Sequence, residues 1–204
     1  MGTRPESSES SAVAAPQRGG RGARERILNT ATELFYREGI HATGVARIAE
    51  VAHVSIRTLY QHFASKNELV EAYLRRFDAE RPIPAEAQAR RADLAPRERL
   101  LAIFEPLQIE DARTVRGCAF HNAAVEAAGT MPEVGRIVAE HKASFCDALI
   151  EAAREAGARE PEVLGRRLAV LYEGATALST SYDDRSVVKE AHRMASMLVE
   201  SAFA

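Results

Sequence analysis

From residue 21 to the end of this 204-residue chain, large apolar side chains recur at helical spacing, and no stretch alternates β-branched residues with period two. Such a chain closes a core only by packing helix on helix, so the expected class is all-α, with about nine helices. The first stripe is Ile27, Ala31, Leu34 and Phe35, and it stops at Gly39, where a left-handed residue can end a helix. Thr43 or Gly44 can cap a short second helix that turns Val45, Ile48 and Ala49 inward. After a turn at 52–54, Ser55 can cap a third helix over 56–62. Ser65 and Glu68 make a capping box for a fourth, with Leu69, Tyr73, Leu74 and Phe77 on one face and an end near Glu80.

The stretch "RPIPAEAQARRADLAP" breaks the pattern with three prolines and marks a candidate boundary. Helix resumes with Leu100, Leu101, Phe104 and Leu107, bent or ended at Pro106. A short helix near 118–128 stops at Gly129, and Thr130 with Glu133 forms a second capping box, with Pro132 in the first turn of a long helix. Its stripe is Val134, Val138, His141, Phe145, Leu149 and Ala152, and Gly157 closes it. Pro161 opens a helix with Leu164, Leu168, Leu171, Ala175 and Leu178. The last helix carries Val187, Ala191, Met194, Ala195 and Leu198.

Composition removes several function classes. No apolar run approaches the roughly 18 residues of a membrane span, and no basic start followed by an apolar stretch marks a secretory signal, so the expected location is the cytoplasm. Cys118 and Cys146 form no CxxC pair, which points to reduced, buried thiols rather than a disulfide scaffold or a zinc site. Residues 1–20 hold Ser, Gly, Pro and charge with hardly a large apolar side chain, and read as a disordered arm. Glycine-rich phosphate loops, HExxH and GxSxG are all missing, which speaks against an enzyme. The chain carries a net charge of minus two, yet residues 21–66 hold seven Arg or Lys against four Glu. That end suits a polyanion.

The stretch "RTLYQHF", 57–63, concentrates polar groups on a helix of two turns, which cannot be stable alone. Ile48, Leu59 and Phe63 pin it to its neighbours, and the opposite face displays Arg57, Thr58, Gln61 and His62, with Tyr60 at the margin. A helix, a tight turn and a second polar-faced helix form a helix-turn-helix, whose second helix enters the major groove. Glutamine can bond adenine edges, arginine can fork onto guanine, and hydroxyls can hold phosphates. Lys66 adds charge in the first turn of the next helix.

Residues 24–77, above all "ATELFYREGIHATGVARIAEVAHVSIRTLYQHFASKNELVEAYL", closely resemble the DNA-binding domain of TetR-family transcriptional regulators. The resemblance implies DNA contacts from Thr43, Arg57, Thr58, Tyr60, Gln61, His62 and Lys66, with Ser55 beside them at the helix cap and Tyr60 and Lys66 on phosphates. Two positions depart from the family pattern. His53 replaces the usual turn glycine, at a site that can require positive φ, and Arg57 replaces a small residue. Beyond residue 80 the resemblance is confined to layout and to "VRGCAFHNAAVEA", 115–127.

It implies three parts: the arm 1–20, a DNA-binding domain 21–66, and an effector-binding and dimerisation domain 67–204, joined by helix 66–80. The implied assembly is a homodimer through the last two helices on a palindromic operator, with small residues Gly165, Ala169, Gly174, Ala175 and Ala177 allowing close helix approach. A small-molecule effector of unknown identity would sit among the C-terminal helices. Candidate walls are Tyr73, Phe77, Phe104, Leu107, Phe120, Phe145, Leu149 and Tyr172, and candidate polar anchors are His121, Asn122, Glu126, His141 and Thr176. No cofactor and no metal are expected. The expected function is therefore a ligand-released repressor; the alternative is a DNA-binding protein that works without a small-molecule effector.

Overall fold

The computed structural model describes residues 21–80, 84–105, 107, 117–184 and 186–203, so the arm and Pro106 lie outside it. Among the described residues there are ten helices and no strand: α1 (Arg21–Glu38), α2 (Val45–Val51), α3 (Ile56–His62), α4 (Lys66–Glu80), α5 (Pro84–Ala89), α6 (Pro96–Ala102), α7 (Ala119–Ala127), α8 (Pro132–Glu155), α9 (Pro161–Tyr182) and α10 (Ser186–Phe203). The helix beyond the expected nine is α5, inside the proline-rich stretch. Pro84 stands at its first position, where a missing N–H costs nothing. Helix α6 ends at Ala102, short of the expected Pro106, because the backbone tightens there: Phe104 N–H donates to Leu101 O at 3.2 Å.

The caps sort into those that formed and one that did not. Gly39 has φ +98° and donates to Phe35 O, and Gly157 has φ +78° at the end of α8. Ser65 Oγ accepts from Glu68 N–H at 3.1 Å, while the Glu68 carboxylate reaches one residue further back, to Ala64 N–H at 2.6 Å. The Thr130–Glu133 box is absent. The residue before α8 is Met131, which has no hydroxyl; Thr130 donates back to Ala127 O, and Glu133 is bonded by Arg136.

Two apolar clusters hold the molecule. The first joins Ile27, Leu34 and Phe35 of α1 with Ile48, Leu59 and Phe63, then with Leu69, Tyr73 and Leu74 of α4, Phe120 of α7, and Val134 and Val138 of α8. The second joins Leu100 and Phe104 with Phe145 and Leu149 of α8, Leu164, Leu168 and Tyr172 of α9, and Ala191, Ala195 and Val199 of α10. Helix α8 is the beam that enters both.

One glycine decides how close α9 comes to α8. A Cβ at Gly165 would lie 2.7 Å from the backbone nitrogen of Ile150 and 2.8 Å from its Cα, neither of which can step aside. Part of the small-residue stripe read from the sequence as a dimer surface therefore serves this internal contact. Gly165→Ala gains about 1 kcal/mol of helix propensity but overpacks the joint at about 1–3 kcal/mol or more, so the net expectation is a lower urea midpoint. An unchanged or higher midpoint would mean that the two helices can part freely.

Candidate nucleic-acid interface

The site is built from two seven-residue helices and the turn between them. Helix α2 buries Ile48 and Ala49, and Ala52 closes it. The turn then needs a left-handed residue, and His53 supplies it at φ +53°, as its place in the sequence suggested; its N–H donates to Glu50 O. The next N–H, of Val54, donates to Ala49 O at 2.9 Å, which reverses the chain within three residues. Arg26 of α1 braces the same turn, its Nε donating to Ala52 O at 3.4 Å.

Ser55 starts α3, its Oγ accepting from Thr58 N–H at 3.0 Å and sharing a hydrogen bond with the Thr58 hydroxyl. Leu59 and Phe63 are fully buried, and Arg24 of α1 lies over the Phe63 ring with its guanidinium 4.8 Å from the centroid. With that side fixed, Arg57, Tyr60 and Gln61 are exposed, and Thr58 and His62 are half-buried at the edge. Arg37 and Arg47 are engaged by Glu33 and Glu38, at 3.2 and 2.8 Å. Arg57 carries the positive charge on the outward face of α3 itself.

A concave surface of about 610 Å³ runs beside this face, lined by Arg26, Glu50, His53, Ser55, Thr58, Gln61 and His62. Arg26 was missed as a candidate because a stripe read for its apolar members hides the polar residue beside them, and His53 had been read only for its backbone in the turn. Lys66 sits half-buried at the start of α4; burial pushes its ammonium below the usual value, and the charge of Glu126 pulls the other way. Thr43 stands apart from the other candidates. Its side chain is fully buried and its hydroxyl donates to Gly39 O at 2.7 Å, so it presents no surface to a ligand.

This arrangement has close counterparts. The family profile "Bacterial regulatory proteins, tetR family" matches residues 27–73. The curated relatives include the HTH-type transcriptional regulator TtgR of Pseudomonas putida, 36% identical over 97 residues, a segment that is 46% of either chain. The HTH-type transcriptional activator FasR of Mycolicibacterium smegmatis is 42% identical over 82 residues, 40% of this chain and 37% of that one. These matches thus span less than half of the relatives' lengths. A solved TetR-family transcriptional regulator from Streptomyces coelicolor is similar throughout: 33% identical, TM-score 0.77, covering 89% of this chain and 96% of that one. This chain is a TetR-family transcriptional regulator. A second solved regulator of this kind, from Streptomyces avermitilis, is 30% identical with a TM-score of 0.78 over 88% of this chain and 97% of that one.

In the C-terminal part of this TetR-family regulator, the candidate effector residues go to three places. Tyr73, Phe77 and Phe120 pack in or against the first cluster, and Phe104, Leu107, Phe145, Leu149 and Tyr172 in or against the second. His121, Asn122 and Thr176 meet elsewhere, in a cleft of about 570 Å³ between α7 and the C-terminal half of α9, over Phe35 and Gly117. His141 is buried, stacked on Phe120 with ring centroids 3.4 Å apart, and its Nδ1 is 2.6 Å from Asp78 Oδ1. It is thus a tie between α8 and α4.

Glu126 lines the cleft, and so do Glu173, Thr180 and Ser181, which sequence reasoning did not single out. Glu173, Thr176 and Thr180 form a polar stripe at i, i+3 and i+7 along a helix of which only Thr176 had been read as a polar anchor. Cys118 and Cys146 are unpaired and half-buried rather than buried; Lys142 Nζ lies 3.4 Å from Cys118 Sγ and 2.6 Å from Glu173 Oε1.

Proposed function

We propose that this regulator, working in the cytoplasm, binds a palindromic operator as a homodimer, represses transcription by occupying it, and is released by a small molecule held in the α7–α9 cleft. The α3 face carries the reading: Arg57, Thr58, Tyr60, Gln61 and His62 are displayed on a helix whose other side is locked by Leu59 and Phe63. Ser55 and Lys66 flank that face at the two helix starts, where backbone N–H groups also favour phosphate. Thr43 acts from inside in this reading, holding the α1–α2 turn through Gly39. A dimer is supported by apolar side chains left exposed on α9 and α10, and it would set two α3 helices about 34 Å apart, one turn of DNA.

Selection from random duplexes at about 150 mM salt tests the reading, and the expected product is an inverted repeat. No enrichment over background would defeat it. On the selected duplex, Lys66→Ala is expected to weaken binding to every sequence and to reduce the slope of log affinity against log salt by about one, as loss of one phosphate contact requires; Gln61→Ala is expected to relax preference at a single base pair instead. A reporter driven from the recovered operator gives the sign of regulation. Expression rising on deletion of the regulator means repression, and expression falling places it with FasR, which is described as an activator.

A further inference from the structure

The cleft and the DNA-binding unit meet at one side chain. Glu126, in the last turn of α7, lines the cleft, and its Oε2 accepts a 2.7 Å hydrogen bond from His41 N–H in the α1–α2 connection. Its backbone oxygen is bonded to His41 Nε2 as well. The contact is close along the whole turn, since a Cβ on Gly39 would stand 3.3 Å from both Glu126 carboxylate oxygens. The turn that this carboxylate holds leads directly into α2.

The opposite wall is short of donors. Thr176 Oγ1 donates its hydrogen to Tyr172 O, Thr180 Oγ1 to Thr176 O and Ser181 Oγ to Ala177 O, each at 2.9 Å. A hydroxyl whose hydrogen is returned to its own helix can offer the cleft only its oxygen lone pairs. Glu173 is matched by Lys142 at 2.6 Å, whereas Glu126 makes no ion pair within reach among the described residues. The α9 wall thus presents acceptors, and across from it Glu126, whose charge is felt by Lys66 without an ion pair, adds a carboxylate beside His121 and Asn122.

We infer that the cleft takes a donor-rich cation, a small molecule bearing a protonated amine or guanidinium, and that this group competes with His41 N–H for the Glu126 carboxylate, so that occupancy loosens the α1–α2 turn. The inference rests on reading the cleft as the effector site. A protonated amine satisfies Glu126 and the Thr176 and Thr180 oxygens together with a charge-assisted bond to the carboxylate; a neutral polyol donates to the same oxygens without that charge, and an organic anion is repelled by Glu126. Glu126 acts through the turn and is a positioning residue for DNA binding. Coupling between two sites commonly amounts to about 5- to 150-fold in affinity, and the operator is expected to be weakened within that range.

The test is amide hydrogen exchange at residues 39–41 of the full chain with spermidine or agmatine, against glucose and citrate at matched ionic strength. The amines are expected to speed exchange of the His41 amide by about tenfold in the wild type. Glu126→Gln keeps a weaker, neutral acceptor for His41 and loses the charge, so its basal exchange should already be faster than the wild type and its response to amines should vanish. Thr180→Val, which removes an acceptor at similar volume, should blunt the response. The proposal is overturned if the amines leave exchange unchanged, if Glu126→Gln responds like the wild type, or if glucose or citrate produces the effect instead. Exchange is read without DNA, so a failure to select any operator would strike the DNA-binding reading and leave this test decisive.

Discussion

Leu59→Ala is expected to cost about 2–5 kcal/mol of stability and to remove sequence-specific DNA binding, with a larger loss on the selected inverted repeat than on random duplex. Leu59 is fully buried among the helices of the first apolar cluster, and its carbonyl accepts the hydrogen bond from Phe63 N–H that closes α3. A seven-residue helix has too little propensity to persist without tertiary contacts, so a cavity under it frees the whole face that carries Arg57 and Gln61. Non-specific attraction to phosphate depends mainly on charge, which the substitution leaves alone. Urea denaturation followed by circular dichroism gives the first quantity, and titrations with both duplexes give the second. A loss below about 1 kcal/mol with specificity intact would show that something other than this leucine positions α3.

Val170→Asp is the second large effect, and it is expected to fall on assembly and not on the fold. Val170 is 74% exposed in the single chain, so an aspartate there should change subunit stability by no more than about 0.5 kcal/mol. It lies on a strip with Leu178 and Tyr182, the latter 65% exposed, and α10 adds Met197 at 69%. Between them Gly174 has nothing within 4 Å of where a Cβ would be, which leaves room for a second helix to approach closely. Apolar groups gathered on an exposed surface mark an interaction site. In a two-fold interface each substitution counts twice, and each buried, unpaired carboxylate costs several kcal/mol, so the dimer dissociation constant should rise by about a thousandfold or more. Sedimentation at micromolar concentration should show a folded monomer, and affinity for the inverted repeat should fall to that of a half-site. A dimer that survives this change would place the interface elsewhere.

Much of this could be read before any coordinates. The α1 stripe, Ile27, Ala31, Leu34 and Phe35, is buried as spaced, and so is every member of the α8 stripe. His53 was legible as a left-handed turn residue through the family resemblance, in which a glycine usually stands at its place. The outward polar face of α3 was legible from spacing: a two-turn helix with two large apolar groups has a single way to lie against a core, and its polar groups must then face out.

The last two helices show where that reasoning fails. On α10 the fully buried core residues are Val188, Ala191, Ala195 and Val199; of the expected stripe Leu198 packs against them half-buried, whereas Val187 and Met194 are shifted off, and Met194 is exposed. On α9 the core takes Tyr172 and Ser179, and the expected Leu178 faces out. Both helices are apolar on two sides. Periodicity then reports that faces exist without saying which one is covered within the subunit.

What the amino-acid order determined by itself was local: helix type, the stops at Gly39 and Gly157, and the polar face of α3, each governed by backbone sterics and spacing within a few residues. What the tertiary structure alone decided was which distant groups meet. The aromatic residues expected to wall a pocket went into two cores, and a carboxylate on α7 came to hold the turn at His41, 85 residues away in sequence. Such pairings depend on how whole helices cross, and a crossing is fixed by the joint packing of many side chains and by single points of close approach such as Gly165 on Ile150, none of which has a period to read.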